Sequence, residues 1–247
     1  MSTERIAWVT GGTRGIGREI TTRLAESGHR VFASYVSDEL QAKEAERSWS
    51  ARGLGVEVRC VDSRDRGAVE RMADEIGRRH GRLDVLVNNA GINKPTDFDR
   101  VTDDDWDEVL SVNLKGPFVC TQVCLDLLKA SGSASVILVG SVSGQYGGPR
   151  TAHYAASKAG LISLGQVIAR FGARWGIRCN TLAAGFVESE MTRGSLGSPA
   201  VQAQADAVLL GRFARPEEIA SVAHFLASEE SSYVTGQTIA ANGGLYF

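Results

Sequence analysis

The sequence has few residues of the kinds that build a metal site. Its 247 residues include four histidines and four cysteines. Cys60, Cys120, Cys124 and Cys179 show no Cys-x-x-Cys spacing, and the histidines are scattered along the chain. We therefore predict no metal site, and we expect the cysteines to stay reduced and to serve in packing.

The chain also lacks a strong net charge and a long hydrophobic run. A formal net charge of −2 gives no electrostatic basis for binding nucleic acid or an anionic membrane. No apolar run is long enough to span a bilayer, and the first residues lead into a strand without the pattern of a signal peptide. We expect a cytoplasmic protein with no nucleic-acid or membrane partner.

Strand and helix patterns alternate along the whole chain without a linker, an internal repeat or a low-complexity tract. The predicted strands are Ile6–Thr10, Arg30–Ser34, Val56–Cys60, Val85–Asn88, Val136–Gly140, Ile177–Leu182 and Gln237–Ala240. The predicted helices include Arg18–Ser27, Asp38–Arg52, Gly67–Arg79, Asp104–Ala130, Thr151–Trp175 and Pro216–Ala227. Thr102 before three aspartates, and Pro216 before two glutamates, are typical helix starts.

These repeated βα units predict one α/β domain over residues 1–247, with a hydrophobic content of 43% to form its core. The predicted fold is a doubly wound, mostly parallel, seven-stranded Rossmann-type sheet with helices on both faces. A ligand should bind beyond the carboxyl ends of the strands, where the strand order reverses.

The most informative segment runs from Ser141 to Lys158. Tyr154 and Lys158 are four residues apart, so on a helix they share a face. An ammonium close to a phenol favours the phenolate and lowers its pKa toward working pH, which suits a general acid. The Ser141 hydroxyl could orient the same substrate oxygen, although a Tyr-x-x-x-Lys pair alone is common and usually structural.

A glycine-rich turn follows the first predicted strand. It reads Gly11-Gly-Thr-Arg-Gly15-Ile-Gly17 and leads into a helical pattern. The free N–H groups of a helix N-terminus attract phosphate, and glycine permits a tight turn and close backbone approach. The turn lacks the Gly-Lys-Ser/Thr ending of a nucleotide-hydrolysing P-loop. It therefore favours a dinucleotide site over a nucleotide-hydrolysing one, with a merely structural turn as the alternative.

Together these motifs resemble the short-chain dehydrogenase/reductase family. The resemblance rests on Thr10-Gly-Gly-Thr-Arg-Gly-Ile-Gly17, Asn88-Asn-Ala-Gly91, Asn113, Ser141 and Tyr154-x-x-x-Lys158, and it runs nearly end to end. Within the family the chain is similar to the 3-oxoacyl-ACP reductases and acetoacetyl-CoA reductases. The resemblance implies NADPH-dependent reduction of a β-ketoacyl thioester carried on acyl carrier protein or CoA, by a homotetramer.

The resemblance also implies the site residues. The catalytic set would be Asn113, Ser141, Tyr154 and Lys158, with Asn113 distorting its helix so that its main chain holds a water of a proton relay. The implied cofactor-binding residues, besides Tyr154 and Lys158, are Gly11, Thr13, Arg14, Gly15, Ile16, Gly17, Tyr35, Asp62, Ser63, Asn89, Ala90, Gly91, Gly185, Val187 and Ser189.

The choice between NADPH and NADH depends on the end of the second strand. An acid there would bind a ribose 2′-hydroxyl, but the chain has none until Asp38. Arg14, inside the glycine-rich turn, is placed to meet a 2′-phosphate. NADPH/NADP⁺ is therefore the predicted cofactor, with a solvated surface charge as the alternative for Arg14.

Two departures from the family pattern concern the substrate side. The usual Pro-Gly after the sixth strand is Ala184-Gly185 here, so the loop is less fixed by proline. The basic residues that would dock an acidic carrier protein are few, with Lys129, Arg170 and Arg174 as candidates. The carrier therefore stays open, and residues 190–210 are the predicted substrate lid.

Two alternatives to the thioester function remain. One is reduction or oxidation of another ketone or secondary alcohol by the same residues, and the other is a non-catalytic partner subunit. His153 is expected to lie in the substrate pocket or at the surface, because neighbouring helix positions point in different directions.

Overall fold

The sheet of this protein is built from seven parallel strands. The structure is a computed structural model that describes residues 4–188, 203 and 205–247. The strands are β1 (Ile6–Val9), β2 (Arg30–Tyr35), β3 (Val56–Cys60), β4 (Val85–Asn88), β5 (Ser135–Ser141), β6 (Arg178–Ala184) and β7 (Thr238–Ala241). Their order is β3-β2-β1-β4-β5-β6-β7, and every pairing is parallel. The predicted fold class is confirmed, and the order reverses between β1 and β4.

Helices lie on both faces of this sheet. They are α1 (Gly15–Glu26), α2 (Glu39–Ala51), α3 (Arg66–His80), α4 (Asp103–Leu110), α5 (Gly116–Val123), α6 (Leu125–Ser131), α7 (Ser143–Tyr146), α8 (Ala152–Gly172) and α9 (Pro216–Ala227). Short 3₁₀ turns cover Phe98–Arg100, Ala173–Trp175 and Glu229–Ser231. The predicted N-caps agree, since Thr102 accepts a hydrogen bond from the Asp105 N–H at 3.1 Å. Pro216 occupies the first turn of α9.

The alternation of side chains along the strands gives the protein two apolar layers. Trp8 and Phe32 belong to the layer beneath α3 and α8, whereas Val9 and Val31 belong to the layer beneath α1 and α9. Successive strand residues point to opposite faces, so continuous apolar strands are buried on both sides. Each fully buried large side chain contributes about 1.5–3 kcal/mol to stability. The two apolar layers therefore hold the strands in place, including the carboxyl edge of the sheet where the polar residues lie.

The predicted long helix Asp104–Ala130 is wrong in one respect. A π turn, Ser111–Lys115, separates α4 from α5, and Cys124 separates α5 from α6. The side chain of Asn113, within the π turn, bonds to backbone outside its own helix. A π turn widens a helix by a residue, and such turns often lie at functional sites.

The sequence led us to expect no membrane-spanning helix and no metal site, and the described residues bear on both. No described helix is long and apolar enough to cross a membrane. Within residues 4–188, 203 and 205–247, no cluster of three or more His, Cys, Asp or Glu side chains could hold a metal ion. All four cysteines are free, but only three are buried, so the packing role predicted for Cys60 is wrong because its side chain is exposed.

Candidate active site

A cavity of about 250 Å³ opens at the carboxyl edge of the sheet, beside the β1–β4 reversal. Its lining brings together residues from the ends of β4, β5 and β6 with α1 and α8. These residues are Ile16, Asn89, Gly91, Ile92, Asn93, Val139, Gly140, Ser141, Tyr154, Lys158, Ala184, Gly185 and Val187. Ile92, Asn93, Val139 and Gly140 were not singled out from the sequence as site residues, although they lie shortly after β4 or in the last residues of β5 before Ser141.

Tyr154, Lys158 and Ser141 meet in this cavity. Lys158 is one turn after Tyr154 on α8, and its Nζ lies 5.6 Å from the centre of the Tyr154 ring. The same Nζ donates a hydrogen bond of 2.8 Å to the Val139 carbonyl of β5. Ser141 ends β5, and its Oγ accepts a hydrogen bond of 3.1 Å from the Ser143 N–H. The three groups are thus held by β5 and α8, the two elements that pack directly on each other.

Burial controls the ionisation of both α8 residues. The Lys158 side chain is buried, with 4% of its surface exposed, and this burial lowers the pKa of its ammonium to about 8. Burial also raises the pKa of the Tyr154 phenol, and a hydrogen bond with Ser141 opposes this rise. The lowering of the Tyr154 pKa by Lys158 that the sequence led us to expect is not found. The loss of hydration dominates, and the ammonium is directed at the Val139 carbonyl.

Asn113 joins the π turn to the wall of the cavity. Its Oδ1 accepts a hydrogen bond of 2.8 Å from the Ile92 N–H, and its Nδ2 donates to the Ile92 carbonyl at 2.9 Å. Nδ2 also donates to the Ser157 Oγ at 3.1 Å. The side chain is fully buried. The expected helix distortion is present at Asn113, while the water and proton relay attributed to its main chain stay predictions.

Space is limited where the side chains of Asn113 and Lys158 approach the Gly91 backbone. A Cβ at Gly91 would lie 3.3 Å from the Asn113 Oδ1 and 3.5 Å from the Lys158 Nζ. The first distance is tight and the second is an ordinary contact, so a larger side chain here would crowd the two polar groups. Glycine therefore helps to keep this side of the cavity open.

The glycine-rich turn between β1 and α1 is braced from β4. The Asn89 Nδ2 donates to the carbonyls of Thr10 and Gly11, at 3.0 and 2.9 Å. A Cβ at Gly17 would lie 2.1 Å from the Gly11 carbonyl oxygen, so only glycine allows this close packing. Gly15 has a φ of +51° and open space around it. The turn therefore has open space beside Gly15, and the next residue, Ile16, lines the cavity.

The side of this region formed by β2 and β3 carries the remaining charged candidates. Asp62 is bound by the Arg64 guanidinium at 2.7 Å, which lowers the pKa of the Asp62 carboxyl. Ser63 is buried, and Tyr35 ends β2. Arg14 is exposed, and no carboxylate in the described part of the chain pairs with it. The sequence did not indicate the Asp62–Arg64 pair.

The expectation for His153 is wrong. Its side chain is fully buried where α8 packs against α4, and it does not line the cavity. Neither ring nitrogen has a hydrogen-bond partner among the described residues. Arg150, left unassigned from the sequence, has a φ of +56° and pairs with Asp97 at 2.9 Å. Ser189 and most of the predicted lid lie outside the described residues, whereas Ala205 and Val208 are buried.

These residues fit a nicotinamide dinucleotide. The glycines leave room for a pyrophosphate at the N-terminus of α1, which is suited to an anion. The cavity beside it is lined by Tyr154 and Lys158, and Gly91 places no side chain next to Lys158. The cavity that Tyr154, Ser141 and Lys158 line is thus open to the nicotinamide ring.

Comparison with known proteins identifies the class. A family profile described as enoyl-(acyl carrier protein) reductase matches residues 11–246. The 3-oxoacyl-[acyl-carrier-protein] reductase FabG of Thermotoga maritima is 40% identical over 246 residues, covering 98% of this chain and 97% of that protein. FabG of Staphylococcus aureus is 38% identical and covers 100% of both chains. The solved structure of gox2181 is 31% identical, with a TM-score of 0.93, and covers 98% of this chain and 95% of that one.

These matches establish that the protein is an oxidoreductase acting on CH–OH/C=O groups with a nicotinamide cofactor. The chain belongs to the short-chain dehydrogenase/reductase family.

Proposed function

We propose that this enzyme reduces a β-ketoacyl thioester to the β-hydroxyacyl thioester with NADPH. The observation that carries the proposal is the meeting of Ser141, Tyr154 and Lys158 in one cavity at the carboxyl edge of the sheet. Two relatives that align over nearly the whole chain are named 3-oxoacyl-[acyl-carrier-protein] reductases, which supports the choice of substrate.

Each of the three residues has a role in carbonyl reduction. Tyr154 donates its phenolic proton to the ketone oxygen, and the Ser141 hydroxyl orients that oxygen by a hydrogen bond. Lys158 binds the cofactor's ribose and passes a proton back to Tyr154 after the reaction. A bound reduced nicotinamide supplies the hydride, while the protein supplies position and electrostatics. Reversal of these steps would oxidise the alcohol with NADP⁺.

Asn113 supports proton resupply to Tyr154. It fixes the Ile92 peptide through two hydrogen bonds, and its carboxamide oxygen lies beside Gly91 and Lys158. In this proposal the widened turn leaves a backbone carbonyl free to hold a water next to Lys158. The proton then moves from solvent through Lys158 to Tyr154.

The selection of NADPH over NADH rests on two charged residues. Arg14 is exposed at the start of α1 and meets the 2′-phosphate. Asp38, the first acid after β2, accepts a hydrogen bond of 3.0 Å from the Gln41 N–H as the N-cap of α2. Its carboxylate is therefore engaged in capping and is poorly placed to bind a ribose hydroxyl. The remaining cofactor contacts proposed are Thr13, Ile16, Tyr35, Asp62, Ser63, Asn89, Ala90, Gly185, Val187 and Ser189.

The carrier is acyl carrier protein or CoA. The basic candidates are partly occupied, since Lys129 pairs with Asp126 at 3.0 Å and lies 4.7 Å from the centre of the Trp175 ring. The Arg174 guanidinium lies 3.9 Å from the same ring centre. These cations form a small patch, which favours neither carrier.

We further propose a single-domain subunit that works as a cytoplasmic homotetramer, as the family resemblance implies. An outward groove of about 660 Å³ supports the assembly. It is lined by Asp107, Leu110, Ser111, Leu114, Lys115, Phe118 and Leu164. Phe118, which lines this groove, is 43% exposed. A monomer measured by light scattering would contradict the tetramer.

The alternatives to the proposed reaction are two other reactions and a role without catalysis. Another ketone or secondary alcohol would use the same three residues, and the matched family profile is described as an enoyl-thioester reductase. The placement of a phenol and a hydroxyl around one oxygen suits a carbonyl better than a carbon–carbon double bond. The intact set of Ser141, Tyr154 and Lys158 argues against a non-catalytic partner subunit.

The deciding experiment mixes purified enzyme with NADPH and acetoacetyl-CoA and follows the loss of absorbance of the reduced nicotinamide. Parallel reactions contain NADH, crotonyl-CoA, or secondary alcohols with NADP⁺. Turnover of acetoacetyl-CoA that prefers NADPH is expected. Faster turnover of crotonyl-CoA, or activity confined to a ketone without a thioester, would refute the proposal.

A further inference from the structure

The segment after β7 returns to the wall of the active-site cavity. The Gly185 N–H donates a hydrogen bond of 3.0 Å to the Ala241 carbonyl, and a Cβ at Gly185 would lie 2.7 Å from the Asn242 Cα. Asn242 then holds its own turn, because its Nδ2 donates to the Tyr246 carbonyl at 2.6 Å and its Oδ1 accepts from the Gly244 N–H at 2.9 Å. Tyr246 is thereby fixed relative to Gly185.

A second tyrosine lies on the short helix α7, which follows the cavity-lining residue Ser141. This helix begins where the Ser143 N–H bonds to the Ser141 Oγ. A Cβ at Gly144 would lie 2.6 Å from the Lys158 backbone carbon, so α7 rests directly on α8 at the lysine of the site. Tyr146, the last residue of α7, is fixed relative to Ser141 and Lys158.

The two tyrosines, one from each of these segments, are in contact. Their ring centres are 5.7 Å apart with an angle of 29° between the planes, a stacked arrangement. Tyr146 is 40% exposed and Tyr246 is 38% exposed, so the pair lies at the protein surface rather than in the core. The neighbouring Leu209 and Leu210 are also exposed, and the Leu210 N–H bonds to the Gly243 carbonyl at 3.1 Å.

We propose that Tyr146 and Tyr246 form the entrance contact for the amide-bearing arm that joins the β-ketoacyl group to its carrier. This inference rests on the proposed function. The ketone must lie next to Tyr154, whereas the carrier is too large to enter, so the arm has to cross the rim of the cavity. The flat ring faces suit its amides and methylene groups, and the rings are held on α7 and on the segment after β7, which contact Ser141 and Gly185.

The test compares substrates with and without the arm. The variants Tyr146→Ala and Tyr246→Ala are assayed with acetoacetyl-CoA and with ethyl acetoacetate, a β-keto ester that lacks the arm. We expect kcat/KM for acetoacetyl-CoA to fall roughly three- to tenfold for each variant, mainly through KM. The value for ethyl acetoacetate and the dissociation constant for NADPH should stay unchanged. Tyr146→Phe and Tyr246→Phe, which keep the ring faces, should resemble the wild type.

Tyr233→Ala is the matched control, because Tyr233 is fully exposed before the amino end of β7, at the edge of the sheet opposite the site. If an alanine variant does not fold, Tyr146→Leu and Tyr246→Leu replace it, since they keep apolar bulk without a flat ring. An equal loss on both substrates, or no loss on acetoacetyl-CoA, would overturn the arm contact while leaving the proposed function intact. A wild-type enzyme that reduces ethyl acetoacetate and no thioester would overturn both.

Discussion

Asn113 holds both backbone polar groups of Ile92, accepting from its N–H at 2.8 Å and donating to its carbonyl at 2.9 Å. Ile92 lines the cavity, so a residue of the π turn fixes the shape of the candidate active site. A side chain in the π turn between α4 and α5 thus holds the loop that follows β4.

Replacing Asn113 should therefore damage both stability and catalysis. Asn113→Ala leaves the partly buried Ile92 backbone groups without these partners, which costs about 1 kcal/mol, and we expect kcat to fall as well. Denaturant unfolding and steady-state kinetics measure the two effects. Asn180→Ala is the matched control, because Asn180 is buried and also bonds to two backbone groups, away from the site. Equal loss of kcat in both variants would show that Asn113 acts only through folding.

Tyr154→Phe removes the proposed proton donor and little else. We expect kcat to fall by at least about 100-fold, the usual contribution of a general acid, with NADPH binding retained. Stopped-flow absorbance and a fluorescence titration measure these quantities, and Tyr233→Phe serves as the control. Retention of more than a tenth of wild-type kcat would mean that another group supplies the proton.

Lys158 makes stability depend on pH in the alkaline range. Its pKa falls from 10.5 to about 8 in the folded protein, so between these values the unfolded chain binds more protons than the folded one. Stability attributable to this group should rise with pH across that window, and its full burial cost is present below pH 8. Lys158→Met should be more stable than the wild type at pH 7, by up to about 3 kcal/mol.

The difference between wild type and Lys158→Met should shrink from pH 8 to pH 10.5. Chemical denaturation at several pH values measures it, and the subtraction removes groups common to both proteins. Two stability curves that run parallel over this range would contradict a lowered pKa at Lys158.

Arg14→Gln tests the choice of cofactor. A lost charge-assisted hydrogen bond should lower kcat/KM for NADPH roughly 10- to 100-fold, with little effect on NADH. Arg18→Gln, one turn further along α1, is the control. A similar loss with both cofactors would place Arg14 at the pyrophosphate shared by both rather than at the 2′-phosphate.

His153→Leu should stabilise the protein. The imidazole is fully buried, and its two ring nitrogens have no partner among the described residues. Removing an unsatisfied polar group from such a place should raise stability by about 1 kcal/mol. Thermal unfolding measures the change, with His153→Asn as the polar comparison. A lower stability for His153→Leu would reveal a bond that the imidazole makes.

The sequence predicted the sheet well because its strands are short apolar runs bounded by glycine or polar residues. β3 and β4 have the predicted limits, and the other strands differ by one or two residues at an end. The meeting of Ser141, Asn89 and Gly185 could also be expected, since the carboxyl ends of parallel strands lie at one edge. Residues far apart in the sequence therefore meet at this edge when their strands are neighbours in the sheet.

What the sequence could not provide depends on packing between distant segments. The lowered pKa of Lys158 arises from burial beneath β5, and the burial of His153 arises from contact between α4 and α8. The pairing of Tyr146 with Tyr246 joins residues a hundred positions apart. No local pattern contains this information.

The π turn Ser111–Lys115 makes the active site sensitive to the length of the chain as well as to its composition. Removal of one residue there would allow a regular α-helix, in which each residue turns the axis by about 100°. The residues of α5 would then rotate about the helix axis relative to α4, and the Asn113 carboxamide would no longer bond to Ile92. A family member can therefore exchange side chains along this helix, but a single-codon deletion within the turn would detach the helix from the cavity that it shapes.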